Sequence, residues 1–195
     1  MQLSNQAMIT SASEKICWTI ADLEHFPDND KRYEIIAGEL FVTRAPHWQH
    51  QRISVNIATQ LNLWCEKTGL GSTAIAPGVI FSEADSVIPD VVWVSQERLS
   101  DILDAAGHLI DAPDLAVEVL SKTTADRQRD YEVKLKLYST RGVREYWICD
   151  RQKESVQIYR RENGILKLAA TLFSEDILTS PLLPEFNCLV KRFFA

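Results

Sequence analysis

The first half of the chain shows two hydrophobic periods, one typical of strands and one typical of helices. Short β-rich runs at residues 33–36 and 39–43 flank the pair Ala37-Gly38 and predict a hairpin. Apolar residues then recur at spacings of three or four from Ile53 to Trp64, until Gly69 and Gly71 end the pattern. This second pattern predicts an amphipathic helix.

The second half of the chain predicts strands and helices in close succession. The elements are strands at 79–81 and 91–94 flanking a turn at 84–86, a short helix from Ser95 to Leu103, a strand at 114–121, a helix at 124–141 closed by Gly142, and strands at 145–149, 155–160 and 165–170. Strand, helix and strand between residues 114 and 149 suggest one crossover unit in a mixed sheet. The expected fold class is therefore α/β, or α+β, with a mixed sheet flanked by helices.

The chain has the size of one domain. Its 195 residues, 46% of them hydrophobic, can bury a substantial core. No repeat, low-complexity tract or Pro/Gly/Ser-rich linker divides it. We expect a single domain over residues 1–195, with residues 1–12 loosely held and the core at about 33–150. The C-terminal strands are assigned to 151–195, and the last stretch, with Pro181, Pro184 and Phe193-Phe194, is expected to pack over the sheet.

Composition excludes several classes of protein. No stretch reaches the roughly 18 consecutive apolar residues that a membrane helix needs, so no membrane association and a cytosolic location are expected. The four cysteines, at positions 17, 65, 149 and 188, form no C-x-x-C pair and signal neither a zinc site nor a disulfide framework. They are expected to be small apolar core residues. The net charge of −6 argues against a protein that coats nucleic acid non-specifically.

One segment of this acidic chain is basic. Residues 122–144 contain seven Lys or Arg residues and three Asp or Glu residues, which is a net charge of +4. Two interpretations stay open. The segment is either a solvated helix surface with i,i+4 ion pairs or an element that faces phosphate groups.

The strand at 114–121 carries a carboxylate where apolar residues are expected. Both of its faces are largely apolar, and burying the charge of Glu118 is costly unless it meets a cation or hydrogen-bond donors. The following helix supplies a candidate partner. With 100° per residue and Asp130 at zero, Lys134 falls at about 40°, within the apolar stripe, and Lys136 falls at about 240°, on the opposite face. We expect Lys134 to point inward, toward Glu118.

Asp90, Glu118 and Lys134 are the residue types that phosphodiester cleavage needs. A Mg²⁺ ion held by one or two carboxylates activates a water near neutral pH and offsets the negative charge of the transition state. A lysine then positions the water or stabilises the developing charge. Hard oxygen ligands, without clustered His or Cys, favour Mg²⁺ or Mn²⁺ over zinc.

Longer motifs surround these residues. They are Tyr33-Glu34 with Gly38-Glu39, His50, Pro89-Asp90, the run PDLAVEVLS at 113–121, Asp130 with Lys134, Tyr138, and the run GVREYWICD at 142–150. Together, over roughly residues 17–194, they resemble the Uma2 (DUF820) family of restriction-endonuclease-like proteins, which is similar to the PD-(D/E)xK nuclease superfamily. The resemblance implies a restriction-endonuclease-like core and a metal-dependent endonuclease that hydrolyses DNA.

The resemblance also implies roles for single residues. Asp90 corresponds to the aspartate of the P-D motif and Glu118 to the acid of the second strand, both implied metal ligands, and Lys134 corresponds to the catalytic lysine. The superfamily has a lysine two residues after the acid, where this chain has Leu120, so the lysine would come from the helix. Lys122 stands where the family usually has proline, and it could compete with Lys134 for the catalytic role.

The two acids are expected to meet although 28 positions separate them. Asp90 and Glu118 should lie close enough to share one Mg²⁺ or Mn²⁺ ion. Without metal, we expect the two carboxylates to be unpaired and to repel each other, which would raise at least one pKa. Neutral amides at these positions could then raise the stability of the metal-free protein.

Three further side chains have both a structural and a functional interpretation. Glu34 is either an exposed strand charge or, by the resemblance, an auxiliary acid. His50 faces inward near the start of its helix, either as a satisfied core group or as a group that binds substrate or tunes the site. Asp130 precedes Lys134 by one turn and forms either a simple i,i+4 ion pair or a contact that orients the lysine.

Functions of different classes stay open. The first is an endonuclease acting on DNA with Mg²⁺ or Mn²⁺. The second is a non-catalytic nucleic-acid-binding or regulatory module on the same fold, which the acidic charge and the missing E-x-K spacing would suit. The third is a structural assembly protein. A homodimer is expected, because a duplex has two strands to cut and because aromatic residues such as Tyr146 and Trp147 suit an oligomer contact as well as a core.

Overall fold

The computed structural model describes residues 16–121 and 124–195 of the chain. The strands are β1 Lys31–Ile36, β2 Glu39–Arg44, β3 Gly71–Ile75, β4 Val79–Ser82, β5 Asp85–Val87, β6 Val91–Ser95, β7 Leu115–Val119, β8 Glu145–Asp150, β9 Ser155–Glu162, β10 Ile165–Phe173, β11 Ile177–Ser180 and β12 Leu183–Leu189. The helices are α1 Ile20–Leu23, α2 Trp48–Thr68, α3 Gln96–Ile102, α4 Thr124–Gln128, α5 Leu135–Arg141 and α6 Lys191–Phe194, and a π-helical turn at Arg129–Lys134 joins α4 to α5. No helix within the described ranges is long and apolar enough to cross a membrane.

A six-stranded mixed sheet organises the molecule. Its strand order is β10-β9-β8-β7-β6-β3, and a four-stranded sheet of order β2-β1-β5-β4 and the pair β11-β12 accompany it. Strands β7 and β8 run parallel, whereas the other neighbours in the six-stranded sheet run antiparallel. A parallel pair needs a crossover connection, which α4, the π-helical turn and α5 provide. The predicted crossover unit and the predicted mixed fold class are confirmed.

Each face of the six-stranded sheet has its own core, because successive side chains of a strand point to opposite faces. On one face Val117 and Trp147 pack with residues of α2, β12 and α6. On the other face Ala116 and Leu120 pack with residues of α5. Strand β7 is therefore covered on both sides, as predicted, and Glu118 falls on the same face as Ala116 and Leu120.

The first hairpin forms where the sequence predicts it. Ala37 and Gly38 both have positive φ, of 51° and 72°, which are the values that a two-residue hairpin turn requires. A Cβ atom on residue 38 would overlap the Sγ atom of Cys17, so a glycine is needed there for space as well. Cys17 itself is exposed, which corrects the expectation of four core cysteines, whereas Cys65, Cys149 and Cys188 are buried; all four are free thiols.

Two short strands that precede β6 in the chain, β3 and β5, were not predicted. β5 occupies part of the expected turn at 84–86, and it is β5 rather than β6 that pairs with β4. β3 begins at Gly71, where the helical pattern ends, and forms the edge of the large sheet. Strands of three and five residues are too short to show a clear period of two, and β3 is largely exposed along its length.

The predicted helix at 124–141 is interrupted rather than continuous. Its middle third, Arg129–Lys134, is a π-helical turn, a geometry with wider turns than the α-helix and one that is frequent at functional sites. The hydroxyl of Tyr146 donates a hydrogen bond of 3.1 Å to the Asp130 carbonyl within this turn. No glycine or proline marks the interruption in the sequence, so only the structure reveals it.

Candidate active site

Asp90 and Glu118 lie side by side where strands β6 and β7 meet. The antiparallel register of these strands pairs Val91 with Val117, and Asp90 and Glu118 are the next residues beyond that pair. Both line the same cavity, and the charge of Asp90 contributes to raising the pKa of Glu118. The Asp90 carboxylate also accepts a hydrogen bond of 2.8 Å from the Val119 N–H, the peptide that follows Glu118. Strand pairing thus brings the two acids together.

Lys134 is buried between two carboxylates. Its Nζ atom lies 2.8 Å from Glu118 Oε1 and 2.9 Å from Glu34 Oε1, and only 2% of its side chain is exposed. Lys136, two positions along, is exposed. The predicted inward direction of Lys134 is therefore confirmed, and the contact with Glu118 is direct. Whether Lys134 is catalytic stays a prediction.

Glu34 and Tyr138 complete the surroundings of this lysine and its partner. Glu34 is buried and also accepts a hydrogen bond of 2.9 Å from the Ile88 N–H, which corrects its interpretation as an exposed strand charge. The Tyr138 hydroxyl donates a 2.8 Å hydrogen bond to Glu118 Oε1. Sequence reasoning assigned no site role to Tyr138, although its position four residues after Lys134 places both on one helix face.

Asp90 is paired, which corrects the expectation of two unpaired acids. Its carboxylate lies 3.1 Å from His50 Nε2 and 3.3 Å from Arg32 Nη1. Burial alone would raise the pKa of Asp90, but the hydrogen bond and charge of His50, the Val119 N–H and the charge of Lys134 outweigh burial and lower the pKa. Arg32 was missed, although its position two residues before Glu34 on β1 puts both on one face of the strand.

The pKa values of Glu118 and Asp130 are raised, in contrast to that of Asp90. Burial is the largest cause that raises the pKa of Glu118 to about 8, and the carboxylates of Asp90, Asp130 and Glu34 add to it against the charge of Lys134. Burial likewise raises the pKa of Asp130 to about 6, against the charges of Lys134 and Arg129. The expected repulsion between acids therefore appears at Glu118 rather than at Asp90.

The position of Asp130 differs from the expected i,i+4 ion pair. Within the described residues, Asp130 lies at ion-pair distance from Arg129, with Nε 3.6 Å from Oδ1, and Lys134 pairs with the two glutamates instead. The Oδ1 atom of Asp130 is buried and has no hydrogen-bond partner among these residues. Burial alone would lower the pKa of Lys134, yet Glu118, Glu34 and Asp130 together raise it above its usual range, so the lysine is charged.

A cavity of about 490 Å³ joins these groups. Its acidic lining comes from Glu34, Asp90, Glu118, Asp126 and Asp130, and its basic lining from Arg32, Arg44, His47, His50, Arg129, Lys134 and Arg151. The acids are mostly buried, whereas Arg44 and His47 are exposed. The cavity therefore combines a carboxylate floor with cations at its margin.

Some basic residues of the segment at 122–144 fit the phosphate-facing interpretation, and others fit the interpretation as a surface with ion pairs. Arg129 and Lys134 line the cavity, as a phosphate-facing element would. Other basic residues form ion pairs outside it, Arg127 with Asp150, Arg141 with Asp85 and Arg144 with Asp114. Lys122, the alternative catalytic lysine, lies outside the described residues.

The residues present fit a hard divalent cation. No group of three or more His, Cys, Asp and Glu side chains is arranged to hold a metal ion within residues 16–121 and 124–195. Mg²⁺ is, however, usually held by only one or two carboxylates, with waters and substrate oxygens as its other ligands. Asp90 and Glu118 supply two adjacent carboxylates, and the buried Oδ1 of Asp130 is a nearby acceptor without a donor.

The chain matches the Uma2 family, described as "Putative restriction endonuclease", over residues 20–191. The protein belongs to the Uma2 family. Its fold is similar to that in the crystal structure of "a putative nuclease belonging to DUF820" from Anabaena variabilis ATCC 29413, with a TM-score of 0.71 and 17% identity over 90% of this chain and 97% of that chain. At this identity the likeness shows the fold alone. No curated protein matches the chain.

The region matched to Uma2 contains every candidate residue named above, together with Arg32, Arg129, Tyr138 and Arg151, to which sequence reasoning assigned no individual role. Arg129 and Arg151 line the cavity, and Tyr138 holds Glu118. Arg129 lies one position before Asp130 and could have been suspected from that neighbour. Arg151 follows strand β8 in a turn, and no sequence signal indicates that it faces the cavity.

Asp90→Asn is expected to lower the free energy of unfolding by about 1–3 kcal/mol at pH 7, because buried donors lose a charged acceptor. The pKa of Asp90 is lowered in the folded protein, so its stabilisation is present above the usual value of 3.8 and is lost as pH falls through the folded pKa. Urea denaturation should therefore show the difference between parent and variant shrinking below about pH 4. Asp28→Asn, at an exposed aspartate, is the control. An equal loss of unfolding free energy in both variants would contradict the role of Asp90 as a buried, paired carboxylate.

Proposed function

We propose that this protein is an endonuclease that hydrolyses phosphodiester bonds of DNA with Mg²⁺ or Mn²⁺. The observation that carries this proposal is that Asp90 and Glu118, the residues next to the last pair of β6 and β7, share a cavity with the buried Lys134. All four cysteines are free, which suits action in the reducing cytoplasm. Membership in the Uma2 family supports the same reaction class.

Each residue of the site has a distinct task in this proposal. Asp90 and Glu118 would hold the ion, which when bound activates a water and offsets the charge of the phosphate. Lys134 stays charged against Glu34 and Glu118 and is positioned to stabilise negative charge that develops on the substrate. His50 holds the Asp90 carboxylate, and its Nδ1 atom is buried without a hydrogen-bond partner among the described residues. Tyr138 holds the Glu118 carboxylate in the same way.

One observation favours the second candidate, a nucleic-acid-binding module without catalysis. Lys134 contacts Glu118 directly and already balances part of the acidic charge, and no three-residue metal group is formed within the described ranges. In a module of this kind the lysine would replace the metal permanently. Metal binding and cleavage therefore separate the two candidates.

Asp90→Asn and Glu118→Gln are expected to abolish metal-dependent cleavage, because each removes one of two charged ligands. Lys134→Ala should retain metal binding and lower the cleavage rate by about 2–4 kcal/mol of activation free energy, the range for a charge-stabilising donor. Lys136→Ala, on the exposed side of the same helical segment, is the matched control and should cleave like the parent. Binding of Mn²⁺ is measured by calorimetry and cleavage of DNA by gel.

Two results would count against this assignment. If the Asp90 and Glu118 amides bind Mn²⁺ and cut DNA like the parent, the site lies elsewhere. If the parent binds DNA but neither binds metal nor cuts any duplex or single-stranded DNA, the non-catalytic module replaces the endonuclease.

Metal affinity is expected to rise with pH between about 6 and 8. The Glu118 carboxyl has a pKa raised to about 8, so below that pH a proton competes with the cation for this group. The affinity for Mn²⁺ should change by up to about tenfold per pH unit in this range, and binding at pH 7 should release a proton. Calorimetry in two buffers of different ionisation enthalpy measures the release. A pH-independent affinity in the parent, equal to that of Glu118→Gln, would remove Glu118 from the ligands.

We further propose a homodimer, because an enzyme that cuts both strands of a duplex gains from two sites related by symmetry. Tyr146 and Trp147, which the sequence left available for an oligomer contact, are buried within the protomer, so the interface must use other residues. Light scattering at micromolar concentration should give twice the chain mass of 22.2 kDa. A monomer under these conditions would rule out the dimer without affecting the chemistry of the site.

A further inference from the structure

We propose that Arg129 and Arg151 form a binding site for a backbone phosphate of a nucleic acid, beside the carboxylate floor of the cavity. The identification of the ligand rests on the proposed function. Both arginines line the cavity that also contains Asp90, Glu118 and Lys134. Each also has a buried nitrogen without a hydrogen-bond partner among the described residues, Nε of Arg129 and Nη1 of Arg151.

The turn that carries Arg151 is held in place before any ligand binds. Asp150, the last residue of β8, accepts hydrogen bonds through Oδ1 from the N–H groups of Gln152 at 2.9 Å and Lys153 at 3.3 Å. Its other oxygen accepts a 2.7 Å hydrogen bond from Arg127 Nη2. Because Asp150 is satisfied by these three donors, Arg151 stands on an ordered turn while its own Nη1 has no partner.

Arg129 is held loosely by its neighbours. Its Nη1 atom lies 3.5 Å from Asp126 Oδ1, and its Nε atom lies 3.6 Å from Asp130 Oδ1. Both distances are at or beyond the limit of a hydrogen bond, so the guanidinium keeps donors available for an anion. The side chain is only 13% exposed, which places those donors in the wall of the cavity rather than in bulk water.

Buried donors without acceptors are costly, and an anion removes the cost. Leaving one such group unpaired costs about 1–3 kcal/mol, and more when the group is charged. Arg127, which contacts the residue before Arg151, also has a buried unpaired nitrogen, Nη1. A phosphate presents several oxygens at once and binds the planar guanidinium with two parallel hydrogen bonds. A phosphate bound in the cavity can therefore accept hydrogen bonds from both arginines that line it.

A phosphate of a polymer suits the position better than free phosphate. The same cavity continues to the carboxylate pair and to Lys134, so a chain bound through one phosphate at the arginines can present a neighbouring phosphodiester to the acids. The net charge of −6 excludes broad attraction of nucleic acid, which makes a local cluster of cations necessary for binding.

Binding of a fluorescent single-stranded oligonucleotide, followed by anisotropy in chelator, tests this site without cleavage. Arg151→Gln should raise Kd by roughly tenfold or more, as expected for the loss of a charged hydrogen bond. The slope of log K against log salt should decrease by about 0.7, the value for one phosphate contact on a single strand. Lys153→Gln, two residues further along the same turn and exposed, is the matched control and should leave both quantities unchanged.

Two more variants separate charge from geometry. Arg151→Lys should restore the salt slope but only part of the affinity, because an ammonium cannot make the paired hydrogen bonds of a guanidinium. Arg129→Gln should weaken binding in the same direction as Arg151→Gln. Circular dichroism checks whether the Arg129→Gln variant is folded. If it is unfolded, the comparison of Arg151→Gln with Lys153→Gln tests the phosphate site.

The outcomes distinguish this site from the proposed function. Equal Kd and salt slope for Arg151→Gln and Lys153→Gln, or no binding by the parent, would overturn the phosphate site. Inorganic phosphate that binds the parent as tightly as the oligonucleotide would show a site for free phosphate and overturn the assignment to nucleic acid. Binding that depends on Arg151 in a protein that cuts no DNA with Mn²⁺ would support the site and reject only the endonuclease.

Discussion

A lysine buried between two glutamates is the interaction on which the rest of the site depends. Lys134 belongs to the π-helical turn, Glu34 to the first hairpin and Glu118 to the central sheet, so one ammonium joins three separate parts of the fold. Taking any of these charges out of water costs several kcal/mol unless its partners are in place. Removing one of the three side chains would leave the charges of the others buried and uncompensated. The positions of the hairpin and of the helical crossover therefore depend on the ion pairs that join them at the site.

The two acids of the central pair differ in their surroundings. Asp90 has His50, Arg32 and a backbone N–H as partners, and its pKa is lowered, whereas Glu118 is surrounded by other carboxylates and its pKa is raised to about 8. Environments that shift the pKa values of two adjacent carboxyl groups in opposite directions are common where the groups have different catalytic tasks. Asp90 is kept ionised. The ionised form of Glu118 is favoured when a further positive charge enters the cavity.

Under the proposed function, the distribution of charge reconciles an acidic protein with a polyanionic substrate. Phosphate contacts by arginine and lysine dominate nucleic-acid affinity, and a chain of net charge −6 cannot offer them over its whole surface. Cations that line the cavity, including Arg129 and Arg151, lie in the same cavity as the carboxylates. In the proposed function, this arrangement would limit contact with nucleic acid to a substrate that enters the site.

The sequence by itself determined the mixed fold class, the first hairpin, the long helix α2, and the inward direction of Lys134, because the periods of 2 and 3.6 residues that reveal them are local properties of the chain. The tertiary structure decided which strands pair, that Asp90 and Glu118 line one cavity, and that Glu34 is buried against Lys134. It also decided that Asp90 is paired with His50 and Arg32, that a π-helical turn interrupts the crossover helix, and that Arg151 faces the cavity. These features depend on the register between segments far apart in sequence and on which turn meets which helix, and the energy that selects them exists only once those segments pack together.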